Sequence, residues 1–346
     1  MIDWVSFSLP YSGPPVGLQY FKREKFDAPI EPAFSKPLNV EGSYSSTMQV
    51  HAIGGRLYVS GNPVKWLTGQ NVAGTNDLAR LVRMTVDKLW DLLDLWPCQE
   101  AEEALESGNV TLTRVDCTFA YKVGDDADVV TWLEAMERAC HVRFRGRGHY
   151  DQGMCSLMFG LTLEEGKKPK ASRRSTFKFY NKYREMGVHP PTCDDATAVL
   201  LRNTMLGAVR GEACYRALEL KRFGKDRLSA WTEQTAIELH REWVNRMEMA
   251  AKFELKTEEE LKLPRWLHST YRHWANGQNM VALLSRPTFY RHRKELLAHG
   301  IDISEKLVTP KNDPKKNVIP IIRVLEAKPI PEEELEALFW KLAAAA

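Results

Sequence analysis

The sequence predicts an α+β fold. An antiparallel or mixed sheet with helices on one face comes first, and a helical part with a helix-turn-helix or winged helix follows. Three observations point there. Residues 113–119 and 177–182 alternate apolar and polar side chains, as strands with one buried face do. Residues 78–96 and 126–140 place apolar residues at helical spacing. From about residue 229 onward helical patterns dominate.

Taken in order, residues 3–9 alternate like a strand before Pro10. Residues 11–40, rich in Pro, Gly and Tyr, read mostly as loop. Strand segments within 48–60 are broken by Gly54 and Gly55, a hairpin signal, and Gly61, Asn62 and Pro63 then turn the chain. Thr75 or Asn76 caps a helix that runs to about Trp96 through Leu78, Leu81, Val82, Leu89 and Leu92. A strand over 110–121 and a helix over 126–140 follow. After a basic connector come an apolar strand over 154–163, a charged hairpin or loop around Gly166, the strand that carries Tyr180 and a strand over 207–220. The order is β-α-β-α-β-β-β. Residues 257–260 resemble a capping box, and residues 264–303 read as helix, short helix, turn, helix. Pro287 suits the first turn of the last helix, and Gly300 suits the position just past its end. Residues 318–325 read as a strand, the wing of a winged helix. This divides the chain into residues 1–225 and a helical part over 226–346.

With 346 residues, 44% of them hydrophobic, the chain is long enough for two domains and needs no staples. No apolar run approaches the roughly 20 residues of a membrane span, and no secretory signal opens the sequence. Cys98, Cys117, Cys140, Cys155, Cys193 and Cys214 form no C-x-x-C pair, which argues against a zinc module and for reduced thiols in a cytoplasmic protein. The net charge of +3 is unevenly spread. Residues 141–185 hold 11 Lys/Arg against 4 Asp/Glu, and residues 264–300 hold 6 against 1. Residues 87–106 carry seven acids and one lysine. Two separate basic blocks suggest two surfaces that face a polyanion.

Three strands show polar groups on one face. Arg114, Asp116 and Thr118 share a face in one, and Arg210, Glu212 and Cys214 in another. In the third, Phe177 and Phe179 point one way and Lys178, Tyr180 and Lys182 the other. An acid in an apolar strand is costly unless it is paired or binds a metal. Two such acids and a tyrosine on adjacent strands can form one site. A tyrosine hydroxyl needs a nearby lysine or divalent cation to become a phosphate-attacking nucleophile, and carboxylates such as Asp116 and Glu212 suit Mg²⁺ or Mn²⁺. Plainer roles stand beside these: Asp116 pairs with Arg114, Tyr180 packs, and Glu185 is either a third ligand or a surface charge. Tyr183 falls on the other face of the strand and is the weaker nucleophile. Arg173 and Arg174 lie in the first basic block, where a scissile strand would be held. In the last helix of the second block, Arg286, Thr288, Tyr290, Arg291, Arg293 and Lys294 can face outward toward DNA while Phe289, Leu296 and Leu297 face a core.

Residues 3–10, 62–78, 112–116, 180–185, 210–212, 218–224, 285–301 and 317–325 together resemble, in order, the replication initiators of filamentous bacteriophages, the gene II protein type. The resemblance implies site-specific nicking of a double-stranded phage origin. A tyrosine would attack a DNA phosphate, leaving a 5′-phosphotyrosine link and a free 3′-OH primer, with later rejoining. Tyr180 and Lys182 match the family's Tyr-x-Lys pattern, and Asp116 and Glu212 match its acids. Origin DNA, single-stranded DNA and a host helicase and polymerase would be the partners, in the bacterial cytoplasm. Two departures stand out: no His-hydrophobic-His metal pair is present, and Gly211 stands before Glu212 where a bulkier residue is expected. A non-catalytic helix-turn-helix regulator and a metal-dependent nuclease that uses water are the rival readings.

Overall fold

The computed structural model describes residues 1–22, 31–42, 44, 46–142, 146–162, 169–245, 247–249, 263–275, 278–298, 301–304 and 328–344. Ten strands form one sheet, numbered here in chain order: β1 Ile2–Pro10, β2 Leu38–Glu41, β3 Thr47–Ile53, β4 Arg56–Gly61, β5 Thr111–Lys122, β6 His149–Asp151, β7 Ser156–Phe159, β8 Ser175–Asn181, β9 Ala208–Arg216 and β10 Lys328–Pro329. Their spatial order is β6-β7-β8-β9-β5-β1-β4-β3-β2, with β10 paired onto β5. Every pairing is antiparallel, so the sheet is not mixed.

The period-two pattern fixes the faces. Val5, Val59, Val115, Ala213, Phe177 and Phe179 lie on one face, and all are buried. Helices α4 (Asp126–Ala139) and α8 (Glu233–Asn245) cover it: Trp132 meets Phe179 edge-on with ring centroids 5.0 Å apart, and Trp243 lies 5.6 Å from Phe177. Gly211 sits under this contact. A Cβ there would come within 3.0 Å of His240 and 3.1 Å of both Phe177 and Phe179. The glycine that looked out of place beside Glu212 is therefore required by three rings on the opposite face.

Local chemistry explains most boundaries. Gly54 and Gly55 both take positive φ, at 59° and 70°, as a two-residue hairpin loop of the primed type needs. Asn62 and Pro63 do more than turn the chain: Asn62 caps α1 (Pro63–Thr68) by accepting from the Lys65 amide at 2.8 Å, with Pro63 in the first turn. Helix α2 (Leu78–Leu92) is capped by Asp77 rather than by Thr75 or Asn76, and it stops short of Trp96, which is 85% exposed. Helix α3 (Gln99–Glu106) lies inside the acidic block and gave no apolar signal, because only Ala101 and Ala104 are buried. Its acids in the first turn are favoured by the helix dipole. The stretch read as loop over 11–40 contains β2 and a hairpin of Leu18–Lys22 with Glu31–Lys36. The strand expected over 207–220 divides into β9 and α7 (Ala217–Arg222). Helices α5 (Lys182–Val188) and α6 (Asp195–Met205) flank the loop after β8.

After residue 226 the helices divide between two cores. Trp243 of α8 and Phe339 of the last helix, α12 (Glu332–Ala344), join the large core. A second core unites Leu267 and Trp274 of α9 (Arg265–Ala275), Met280 of α10 (Met280–Leu283), Phe289 and Leu296 of α11 (Arg286–Leu297), and Ile301 and Ile303. The capping box at 257–260, Gly300 and the wing strand at 318–325 lie outside the described residues.

Gly211→Val tests the three-ring contact. Overpacking of this kind costs about 1–3 kcal/mol, so the urea midpoint falls at unchanged slope. An unshifted midpoint would mean that the rings relax freely.

Candidate active site on the polar face of the sheet

The opposite face of β5, β8 and β9 carries the polar residues in register. Across β8 and β9, Tyr180 stands opposite Arg210, Lys178 opposite Glu212, and Thr176 opposite Cys214. Glu212 in turn faces Thr118 of β5, and Cys214 faces Asp116. The sheet thus brings Tyr180, Lys178, Glu212 and Asp116 onto one surface.

Arg210 is the hub of this face. It is 2% exposed. It donates to the Thr118 hydroxyl at 2.9 Å and to the Asn71 carbonyl, and it pairs with Asp3 at 3.4 Å. Asp3 was not among the expected site residues. A register shift in β1 between Ile2 and Trp4 sets it against Arg210, and the Asn62 amide donates to it at 2.7 Å. The sequence signal was an acid near the start of an otherwise apolar strand.

Lys182 departs from its expected place. Strand β8 ends at Asn181, whose side chain accepts from the Arg184 amide and starts α5, so Lys182 is a helical residue. Its side chain is buried and donates to Asn71 Oδ1 at 2.8 Å and to Glu185 at 2.6 Å. Burial and the nearby Arg210 push its amine down to about 8, against the pull of Glu185. Tyr183 lies on α5 too, with Arg202 over its ring. Lys178 remains on the face, with Nζ 4.6 Å above the Tyr180 ring.

Tyr180 is only 6% exposed. Burial holds its hydroxyl well above the usual tyrosine range, with Arg210 opposing. Glu212 is pushed up to about 7, by burial first and then by Asp116 and Asp3, while Arg210 and Lys178 pull it down. Asp116 is buried, and Arg114 donates to both of its oxygens, through Nε at 2.9 Å and through Nη2. Glu185 faces Lys182. Among the described residues no three of His, Cys, Asp and Glu stand close enough together to hold a metal ion. Asp116, Glu212 and Glu185 accordingly form no three-carboxylate cluster.

Arg173 and Arg174 are exposed beside β8, and Arg174 approaches Glu219 at 3.5 Å. On α11, Arg286, Tyr290, Arg291 and Lys294 are exposed and Thr288 is half-buried, accepting from Ser285. Leu297 is half-buried, and His292 takes a buried place instead. Arg293 has a different task from its neighbours. It holds Asp302 through two bonds of 2.8 Å, and that carboxylate is 2% exposed. No helix among the described residues is long and apolar enough to cross a membrane.

The comparisons agree over nearly the whole chain. The profile for the N-terminal part of the phage gene II replication-associated protein matches residues 1–246, and the profile for its C-terminal part matches residues 255–332. The chain is 33% identical over 339 residues to the gene II replication-associated protein of Enterobacteria phage I2-2, covering 95% of this chain and 94% of that one. No solved structure matches.

Two outcomes check the geometry. A carboxyl whose folded value is raised keeps its proton in the native state while the unfolded chain gives it up, so that group's contribution to native stability falls as pH rises from about 4.5 to about 7. Glu212→Gln removes this contribution: over that window the wild type's melting temperature falls relative to the variant's, and parallel profiles would refute the assignment. Arg293→Ala leaves Asp302 buried and unpaired, a loss on the order of 3–5 kcal/mol. Hydrogen exchange then speeds up across residues 263–303, while Arg291→Ala leaves it unchanged. Equal exchange in both variants would show the pair to be dispensable.

Proposed function

The chain belongs to the gene II family of phage replication-associated proteins, and on that premise we propose that it starts phage DNA replication by nicking the double-stranded origin with Tyr180. The observation that carries this reading is the register of the polar face: Tyr180 opposite Arg210, and Glu212, opposite Lys178, two pairs along the same ladder.

In this mechanism Tyr180 Oη attacks the scissile phosphorus. Its proton passes to Glu212, a base suited to neutral pH because its burial lifts it to about 7. The Oη–P bond forms, the P–O3′ bond breaks, and the 3′ oxygen takes a proton from solvent to become a free 3′-OH. The DNA 5′ end stays on the protein as a phosphotyrosine, and the reverse attack by a 3′-OH rejoins the strand. Arg210, opposite Tyr180, and Lys178, above its ring, offset the negative charge that develops on the tyrosine and phosphate oxygens. A divalent cation held by Asp116 and Glu212 would add charge neutralisation at the scissile phosphate, and no step above is routed through it. Tyr180 is buried, and the loop that carries Asn71 ties down both Lys182 and Arg210 beside it. That loop lifts to admit the phosphate.

The small core over 263–303 supports an origin-binding role for the helix-turn-helix pattern. Arg286, Arg291 and Lys294 would contact phosphates, Thr288 and Tyr290 would reach toward the groove, and Arg293 would hold the lobe together. A host helicase and polymerase would extend the 3′-OH, as such a product requires.

End-labelled origin DNA is incubated with wild type and with Tyr180→Phe, in Mg²⁺ or Mn²⁺ and again in chelator, and run on a denaturing gel. A labelled protein–DNA adduct forms with wild type and falls at least about a thousandfold in the variant. Cleavage without an adduct would assign the attack to water. Shifted but uncut DNA in both lanes would make the protein a binding regulator. Full activity in chelator would confirm a cation-free step.

A further inference from the structure

The polar face does not end at Tyr180. It continues across the sheet as a row in direct register: Arg216 of β9, Arg114 of β5, Ser6 of β1, Ser60 of β4, Gln49 of β3 and Asn39 of β2. The buried partners of these strands, among them Val5, Phe7, Leu57, Val59 and Val50, all point to the other side. The polar residues of the row are half-exposed or exposed. Six strands at about 4.8 Å spacing make this row roughly 24 Å long.

Its charge is one-sided. Arg56 and Arg227 converge on the Thr111 hydroxyl, at 3.1 Å and 2.8 Å, and Arg56 is also held by Ser8 through Nε and Nη2. Arg216 donates to the Ser172 carbonyl at 3.0 Å. Among the described residues none of these three guanidiniums meets a carboxylate within ion-pair distance. Among the described residues the acids of the face are Asp116, neutralised by Arg114, Asp3, paired with Arg210, Glu212 at the Tyr180 end and Glu41 at the far edge. Flat aromatic rings interleave with the arginines. His51 and Tyr58 stack in parallel, with centroids 4.9 Å apart and planes 9° apart, and Arg114 lies 4.8 Å over the Trp4 ring.

From this placement we propose that the open face of β1 and β3–β5 is a track for single-stranded DNA, with Arg56, Arg114, Arg216 and Arg227 on its phosphates and Trp4 and Tyr58 on its bases. Anchored guanidiniums that keep free N–H groups suit a phosphate backbone. Half-exposed rings such as Trp4 and Tyr58 suit unpaired bases, whose π-faces a duplex hides. The track runs beside the Tyr180 row: Arg216 stands six residues along β9 from Arg210, the partner of Tyr180, a separation of roughly 20 Å, and along this shared face it would guide the strand that is cut or displaced there. It rests on the nicking reading only for where that strand leads.

The test is fluorescence anisotropy of labelled oligothymidylate with the full chain over a salt series. Arg56→Gln/Arg227→Gln weakens binding about tenfold and flattens the logarithmic salt slope by about 1.4, the value for two phosphate contacts on a single strand. Tyr58→Ser weakens binding roughly fivefold or more with the slope unchanged, and Tyr58→Phe restores it. Arg241→Gln, on the exposed side of α8, binds as wild type. Bromodeoxyuridine-substituted oligonucleotide crosslinks to peptides that contain Trp4 or Tyr58. Wild-type affinity in all face variants, with crosslinks confined to residues 263–303, would overturn the track. The assay needs no covalent step. Loss of the Tyr180 adduct reading would leave these results standing, and an adduct formed normally by variants with wild-type binding would sink the track alone.

Discussion

The buried guanidinium of Arg210 is the constraint around which the rest of the polar face is arranged. An ion moved out of water inside a sheet costs several kcal/mol before it is paired. Four elements supply what offsets that cost: Asp3 from the bulge in β1, Thr118 from β5, the Asn71 carbonyl from the loop after α1, and the ladder of β9 itself. The same contacts place Tyr180, Glu212 and Lys182. Asn71 accepts from both cations, so the loop over the site and the charges beneath it are mechanically one unit.

The two faces of the sheet divide the work. One is closed by α4 and α8 so tightly that a Cβ at position 211 would press on three rings at 3.0–3.1 Å. The other is polar, covered around Tyr180 and Arg210 and open from Arg216 and Arg114 to Asn39. This asymmetry lets a long antiparallel sheet be stable and still offer a surface to a polyanion. Residues 263–303 solve a smaller problem by separate means, with an apolar centre and one buried ion pair between Arg293 and Asp302.

Much of the fold was legible from local pattern. The strands around Val115, Tyr180 and Val209, the helix at 126–139, the Gly54-Gly55 hairpin and the three helices within 264–303 all stand where periodicity and turn residues put them. Helix α3 was not legible, because two alanines leave no apolar stripe. Nor was β2, whose Pro- and Gly-rich surroundings mimic loop. The face shared by Lys178, Tyr180, Glu212 and Asp116 followed from alternation alone. The place of Lys182 did not, since Asn181 ends the strand one residue early by capping a helix.

By itself, then, the amino-acid order determined which side chains share a face, because a strand's period of two is a local property of the backbone. It also determined the family, through short matches that keep their order along the chain. Tertiary structure alone decided which charges from separate elements meet. That Asp3 balances Arg210 and that Arg293 is committed to Asp302 depend on strand register and on segments brought together by the fold, whereas the pair of Arg114 with Asp116, two residues apart on one strand, was already legible. Coulombic pairing acts through space, and the sequence records only neighbours along the chain.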